Sequence, residues 1–236
     1  WSSDVCSSDL EAGVKKLVHI SSVAALERMK EDAMITEASQ WTPGKGGSKY
    51  GETKYLAELE VFRGIEEGLP AAIVNPSIIL GPADLDSFST RIFKTVYNGF
   101  RWYTGGSTGF VDVRDVVRAM IMLMESDISG EKFILSGHNR PFRSVFDSIA
   151  DVFQKPRPSL PAGKLATAFI WRLEKWKTKI TGKAPLITRE TADAAHARVE
   201  FDNSKLLRTF PSFTYAPLEQ TITDTCLALK PALENQ

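Results

Sequence analysis

Two short apolar runs, Lys15–Ser21 and Ala71–Asn75, flank a long segment of helical period, and this order constrains the fold more than any other feature of the chain. The helix begins after Ser48, a residue suited to an N-cap, and runs to about Glu67, where Gly68 ends it. Positions 50, 54, 57, 61 and 65 form one stripe along it. Pro76 closes the second apolar run. Downstream, Ser87–Asn98 reads as a helix, and Arg101–Thr104 with Phe110–Val113 as a strand pair around Gly105-Gly106. Asp112 reads as the cap of a helix over Asp115–Glu125, Lys132–Leu135 as a core strand, and Phe142–Phe153 as a further helix. Beyond it, Pro156, Pro158, Pro161, Pro185, Pro211 and Pro217 read as breaks between short helices. Strands alternating with helices predict an α/β fold built on a parallel sheet.

Chemistry gathers where the first strand ends. Ser22 follows the run Leu17-Val18-His19-Ile20, and Tyr50 and Lys54 lie four apart on the helix, which puts them on one face, one above the other. A phenol with an ammonium beside it and a hydroxyl across from it is equipment for moving a proton to or from a carbonyl oxygen. A free phenol titrates near ~10, and a fixed positive charge beside it favours its ionised form. A lone YxxxK occurs by chance in many helices, and a surface Tyr and Lys on an amphipathic helix is the plain alternative. Ser21 is the neighbouring candidate for the role of Ser22.

Two further segments accompany these residues: Asn75-Pro76-Ser77-Ile78-Ile79-Leu80-Gly81-Pro82 and Phe110-Val111-Asp112-Val113-Arg114-Asp115. Serine, YxxxK, NPSxxxGP and FVxVxD in this order resemble the extended branch of the short-chain dehydrogenase/reductases, over nearly everything after Leu10 and more thinly beyond about Lys155. The resemblance implies the C-terminal part of a doubly wound Rossmann-type parallel sheet, keeping its last three strands of seven, plus a smaller, mainly helical substrate-binding lobe. It implies Tyr50 as general acid or base, Lys54 beside it and on the cofactor ribose, and Ser22 on the substrate oxygen. Ser21, Pro76, Ser77, Ile78 and Ile79 would join Tyr50 and Lys54 around NADP or NAD, with NADP favoured because reductases of the resembled group usually take it. Helix 49–67 would serve a homodimer interface.

Departures from the branch narrow the substrate. Ile78 stands where many nucleotide-sugar enzymes carry Asn, Ala24-Ala25-Leu26 replaces the usual Tyr-Gly, and Thr53 replaces the serine before the lysine. These tilt the resemblance toward the dihydroflavonol-reductase-like and hydroxysteroid-dehydrogenase-like groups, acting on apolar or aromatic carbonyls and alcohols. A nucleotide-sugar epimerase or dehydratase is the second reading, and a non-catalytic NAD(P)-sensing protein the third.

The glycine-rich turn of a dinucleotide site is expected well upstream of the serine, yet the residues before Ser22 contain a single glycine, Gly13. The chain therefore reads as N-terminally truncated. Residues 1–10, with their repeated Ser-Ser-Asp, match one translation frame of a common sequencing-library adapter and are taken as a scar without helical or strand period. The expected layout is 11–82 and 112–137 for the remaining Rossmann part, and 83–111 and 138–236 for the lobe. A sheet cut at its centre exposes an apolar edge, which predicts poor folding and solubility for this piece alone, and no activity.

Composition excludes several classes. Lysine plus arginine equals aspartate plus glutamate at 29 each, and setting aside Asp4 and Asp9 moves the net charge from zero only to +2, which implies no nucleic-acid partner. Outside residues 1–10 the sole cysteine is Cys226, so there is no disulfide framework and no metal site, as suits a cytoplasmic protein. Leu165, Phe169, Ile170, Leu173, Trp176 and Ile180 form an apolar stripe among basic residues. It reads as a lobe helix over the substrate rather than one lying on a membrane surface.

Overall fold

The computed structural model describes residues 5–26, 34–39, 41, 48–163 and 195–235 of the 236. The 165–180 stripe lies outside them. The chain divides into two compact units, one of Trp1–Ile79, Gly109–His138 and Glu200–Leu218, the other of Leu80–Thr108, Asn139–Val199 and Glu219–Gln236.

In the first unit, β1 (Leu17–Ile20), β2 (Ala71–Pro76) and the later β6 (Glu131–Leu135) form a parallel sheet in the order β1-β2-β6. All six residues of β2 are buried, as expected of a central parallel strand covered on both faces. Its alternate side chains separate accordingly. Ala71 and Ile73 pack with Val61 and Leu69 beneath α2 (Lys49–Glu66), while Ala72 and Val74 join Val18, Val116, Ala119 and Leu123. Those last three lie on α4 (Val113–Met124). Helices on both faces of a parallel sheet make this a doubly wound, Rossmann-type arrangement.

The ends of these elements follow from local chemistry. The Ser48 hydroxyl accepts from the Gly51 N–H at the start of α2, and Gly68 follows its last turn at φ +106°. Asp112 caps α4 through the Arg114 N–H at 2.7 Å, and Arg114 returns two side-chain bonds to the same carboxylate. Asp115 accepts from Arg118 and from the Ala216 N–H. Both aspartates thus serve the architecture of α4.

The structure departs from expectation in four places. Residues Val5–Glu11 form a helix, α1, ended by Gly13 at φ +68°, so helix reaches back into the segment read as a scar without period. Trp102–Tyr103 (β4) and Ser107–Asp112 (β5) do not pair with one another. Instead β4 runs parallel to β8 (Leu160–Pro161), and β5 lies between β3 (Ile78–Leu80) and β7 (His138–Pro141). Glu200–Leu218, expected in the lobe, belongs to the first unit, because Leu206 on α6 (Ser204–Thr209) and Phe213 bury in its core. Finally, the tail is not all short helices: α7 spans Leu218–Glu234.

In the second unit, α3 (Thr90–Tyr97) packs on α5 (Phe142–Val152) through aromatic side chains. Tyr97 meets Phe153 edge-on at 5.1 Å, and Phe146 lies between Phe100 and Phe142. The Arg143 guanidinium covers the Tyr103 ring at 4.1 Å. Among the described residues no helix is long and apolar enough to cross a membrane.

Candidate active site

The carboxyl end of β1 organises the polar residues of the first unit. The ladder with β2 runs from Leu17 opposite Ala71 to Ile20 opposite Val74, and the Ser21 N–H extends it by donating to the Val74 carbonyl. Ser22 is extended, at φ −162°, and caps the 3₁₀ turn Val23–Ala25, its hydroxyl oxygen accepting from the Ala24 N–H at 3.1 Å. Accepting commits a lone pair and leaves the hydroxyl proton for another acceptor. Ser22 is buried.

Lys54, half-buried, directs Nζ at the Ile20 carbonyl, the last of β1, at 3.3 Å. Tyr50, one turn earlier, is 56 % exposed, which leaves its phenol open to an incoming molecule. Gly51 brings the start of α2 against the turn that Ser22 caps. A Cβ there would collide with the Ala24 carbonyl oxygen and lie 2.8 Å from the Trp41 ring. Trp41 stacks in turn on Tyr55, with centroids 6.1 Å apart. The fold thus gathers the elements bearing Ser22, Tyr50 and Lys54, although no hydrogen bond among the described residues links the three side chains directly.

The lysine also conditions its neighbour His19. Burial and then the Lys54 ammonium hold the His19 imidazole below its ordinary value, so it stays neutral near pH 7.

The segment after β2 is anchored from below. Pro76 pairs with Leu135 across the sheet, and the Ser77 N–H and hydroxyl are both directed at the Leu135 carbonyl, at 3.0 and 3.3 Å. A ligand would therefore meet Pro76–Ile79 through groups other than those two. Ile78 and Ile79 are half-buried, Ile79 against the core.

The sequence reading missed Glu58 and gave Asn75, the first residue of the NPSxxxGP segment, no role of its own. Glu58 and Asn75 are both buried, with Asn75 Nδ2 donating to Glu58 Oε1 and to the Ser22 carbonyl. The signal for Glu58 was a carboxylate one turn past Lys54 beside the apolar stripe, where charge is rare without a partner. Among the described residues no group of three His, Cys, Asp or Glu side chains is placed to hold a metal ion.

A parallel sheet covered on both faces, with polar groups at the carboxyl ends of its strands, is the arrangement in which Rossmann-type proteins place their ligands. Comparison with known proteins narrows the class: residues 2–135 match the NAD dependent epimerase/dehydratase family, and the chain belongs to that family. Sterol demethylase protein B of Methylococcus capsulatus is 30% identical over 153 residues, covering 63% of this chain and 46% of that protein. A Synechocystis protein named for dihydroflavonol 4-reductase activity is 25% identical over 206 residues, covering 84% of this chain and 60% of that one. The chain thus spans about half the length of the curated relatives it matches. Among solved structures, gox2253 superposes with a TM-score of 0.79 at 27% identity, over 97% of this chain and 70% of that one.

Proposed function

We propose that the protein is an NAD(P)-dependent oxidoreductase that interconverts an apolar or aromatic carbonyl compound and its alcohol. The observation that carries this reading is the convergence at the end of β1. Lys54 is anchored on the Ile20 carbonyl, Ser22 caps the next turn, and an exposed Tyr50 lies one helical turn from Lys54.

The residues present suit one end of a nicotinamide dinucleotide. Lys54 supplies a cation with donors to spare beside the carboxyl end of a parallel strand, suited to ribose hydroxyls. Pro76–Ile79 offers main chain at the end of the neighbouring strand. Within residues 1–236 no G-x-G-x-x-G run occurs for the phosphate end. When bound, the nicotinamide supplies or accepts the hydride.

The chain's own side chains handle the proton. In reduction, Tyr50 gives its phenolic proton to the carbonyl oxygen as the carbonyl carbon receives the hydride, so the product is the neutral alcohol. The Lys54 ammonium, one turn away, stabilises the phenolate left behind, which regains its proton from solvent. The Ser22 hydroxyl donates to the same substrate oxygen as negative charge builds on it. In oxidation each proton moves the other way.

Relatives named for a sterol demethylase and for dihydroflavonol 4-reductase support a flat, apolar substrate. The departures at Ile78 and Ala24-Ala25-Leu26 weigh against a nucleotide sugar. NADP is preferred over NAD within this reading, as for the resembled reductases, and a cytoplasmic location belongs to it, in keeping with the free thiol of Cys226.

The test is NADPH oxidation by the full-length protein with a panel of aromatic and apolar carbonyls, wild type against Tyr50→Phe. Loss of the proton donor is expected to lower kcat about 10²–10⁴-fold while NADPH still binds. Undiminished turnover by Tyr50→Phe overturns the assignment.

A further inference from the structure

Beneath these side chains lies a polar cluster that the proton-transfer reading leaves unused. Glu58 is 1 % exposed, one turn beyond Lys54 on α2. Its Oε1 accepts from Ser21 Oγ at 2.5 Å and from Asn75 Nδ2 at 2.5 Å. Asn75 Nδ2 donates also to the Ser22 carbonyl at 3.0 Å, and Lys132 Nζ stands 3.9 Å from Glu58 Oε2. One carboxylate thereby ties together the end of β1, the helix of Tyr50 and Lys54, and the end of β2 just before Pro76.

Packing alone does not call for this arrangement. A carboxylate is costly to bury even when paired, and an apolar side chain of similar volume would fill the space at least as favourably. What the charge adds is direction. The acceptor fixes the Asn75 amide, whose reversal would set its oxygen against the Glu58 and Ser22 oxygens. The amide so fixed holds the Ser22 main chain, while the same acceptor holds Ser21. An apolar residue has no means of setting the rotation of the Ser21-Ser22 backbone relative to α2.

We propose that Glu58 is a positioning residue, acting through Ser21 and Asn75 to hold the Ser22 turn in register with Tyr50 and Lys54. The inference rests on the proton-transfer reading for its catalytic consequence and on the hydrogen bonds alone for its structural one. The two consequences can be measured separately.

The experiment uses the full-length protein and three variants: Glu58→Leu, which removes the acceptor, Glu58→Gln, which keeps it, and Ser21→Ala, which removes one donor. The probes are NADPH with whichever carbonyl of the panel the wild type reduces, and amide hydrogen exchange at Ala24, whose N–H donates to the Ser22 hydroxyl. Glu58→Leu is expected to lower kcat about 10–100-fold at nearly unchanged KM, as for a reacting group displaced by about 1 Å. It should also speed Ala24 exchange at least about tenfold relative to the slowest core amides. Glu58→Gln should recover most of both. Wild-type kcat and wild-type Ala24 exchange in Glu58→Leu overturn the proposal, and so does a loss that Glu58→Gln shares in full.

If Glu58→Leu does not fold, Ser21→Ala decides: faster Ala24 exchange with lower kcat supports the role, and wild-type values of both overturn it. Should the wild type reduce no carbonyl of the panel, or Tyr50→Phe prove fully active, the proton-transfer reading falls. Ala24 exchange then still tests the positioning role by itself.

Discussion

Gly51 is where a single atom decides how α2 meets the turn after β1. It follows Tyr50, is buried, and has the Ala24 carbonyl and the Trp41 ring where a side chain would go. Alanine there would gain about 1 kcal/mol in helix propensity. The overpacking it causes costs about 1–3 kcal/mol, because the blocking atom is main chain and cannot rotate away. Gly51→Ala is therefore expected to be net destabilising by urea titration. It should also lower kcat more than it raises KM, since the turn that yields is the one Ser22 caps. A variant as stable and as active as wild type would show that α2 has room to move. That Tyr50 and Lys54 share a helix was legible because their spacing is local. Glu58 was not, because the partners that make a buried carboxylate tolerable lie 37 residues away at Ser21 and 17 away at Asn75.

At the scale of elements, the caps carry both the fold and its legibility. Ser48 and Asp112 each present a side-chain oxygen to the first free N–H groups of a helix, so α2 and α4 begin about where the sequence says they should. Asp112→Ala is expected to cost about 0.5–2 kcal/mol, read as a lower urea midpoint. Asp112→Asn should cost less, since the amide oxygen still caps while the charge-assisted bonds from Arg114 weaken. Equal losses would mean that Arg114 and not the cap carries the stability. Elements without local signals were read wrongly. Two-residue strand β4 finds its partner at Leu160–Pro161, far along the chain, and nothing in Gly105-Gly106 reveals that. In α7 one proline misled: Pro217, read as a break, precedes the first turn, where proline is well tolerated, and Pro231, not read as one, falls in the last. Between them Ile222, Cys226, Leu229 and Leu233 keep a helical period and are buried.

Neither unit of the molecule is a contiguous stretch of chain; each is assembled from three separated segments. Opening one therefore pulls on chain that belongs to the other, and unfolding is expected to be coupled rather than piecemeal. Cys226 on α7 reports on this from inside the second unit. It is a free thiol, 1 % exposed, and burial pushes it up to about 12. In the folded full-length protein it should resist a thiol reagent at pH 8, and in a background with every other cysteine replaced by serine its labelling should rise with urea along the same curve as the loss of helical circular dichroism. Prompt labelling in native buffer would mean that α7 opens by itself. The pH dependence has a definite sign. An unfolded thiol titrates near ~8.5, while the folded one keeps its proton up to about 12. Between these values the unfolded state holds fewer protons, so the stability contributed by the buried thiol is complete below the lower value and drains away as pH rises toward the upper one. The urea midpoint should accordingly fall more steeply from pH 8 to pH 10 in the parent than in Cys226→Ala, whose side chain does not titrate. Parallel slopes in the two proteins would show that the thiol meets water in the native state and that α7 is not held where its apolar stripe would bury it.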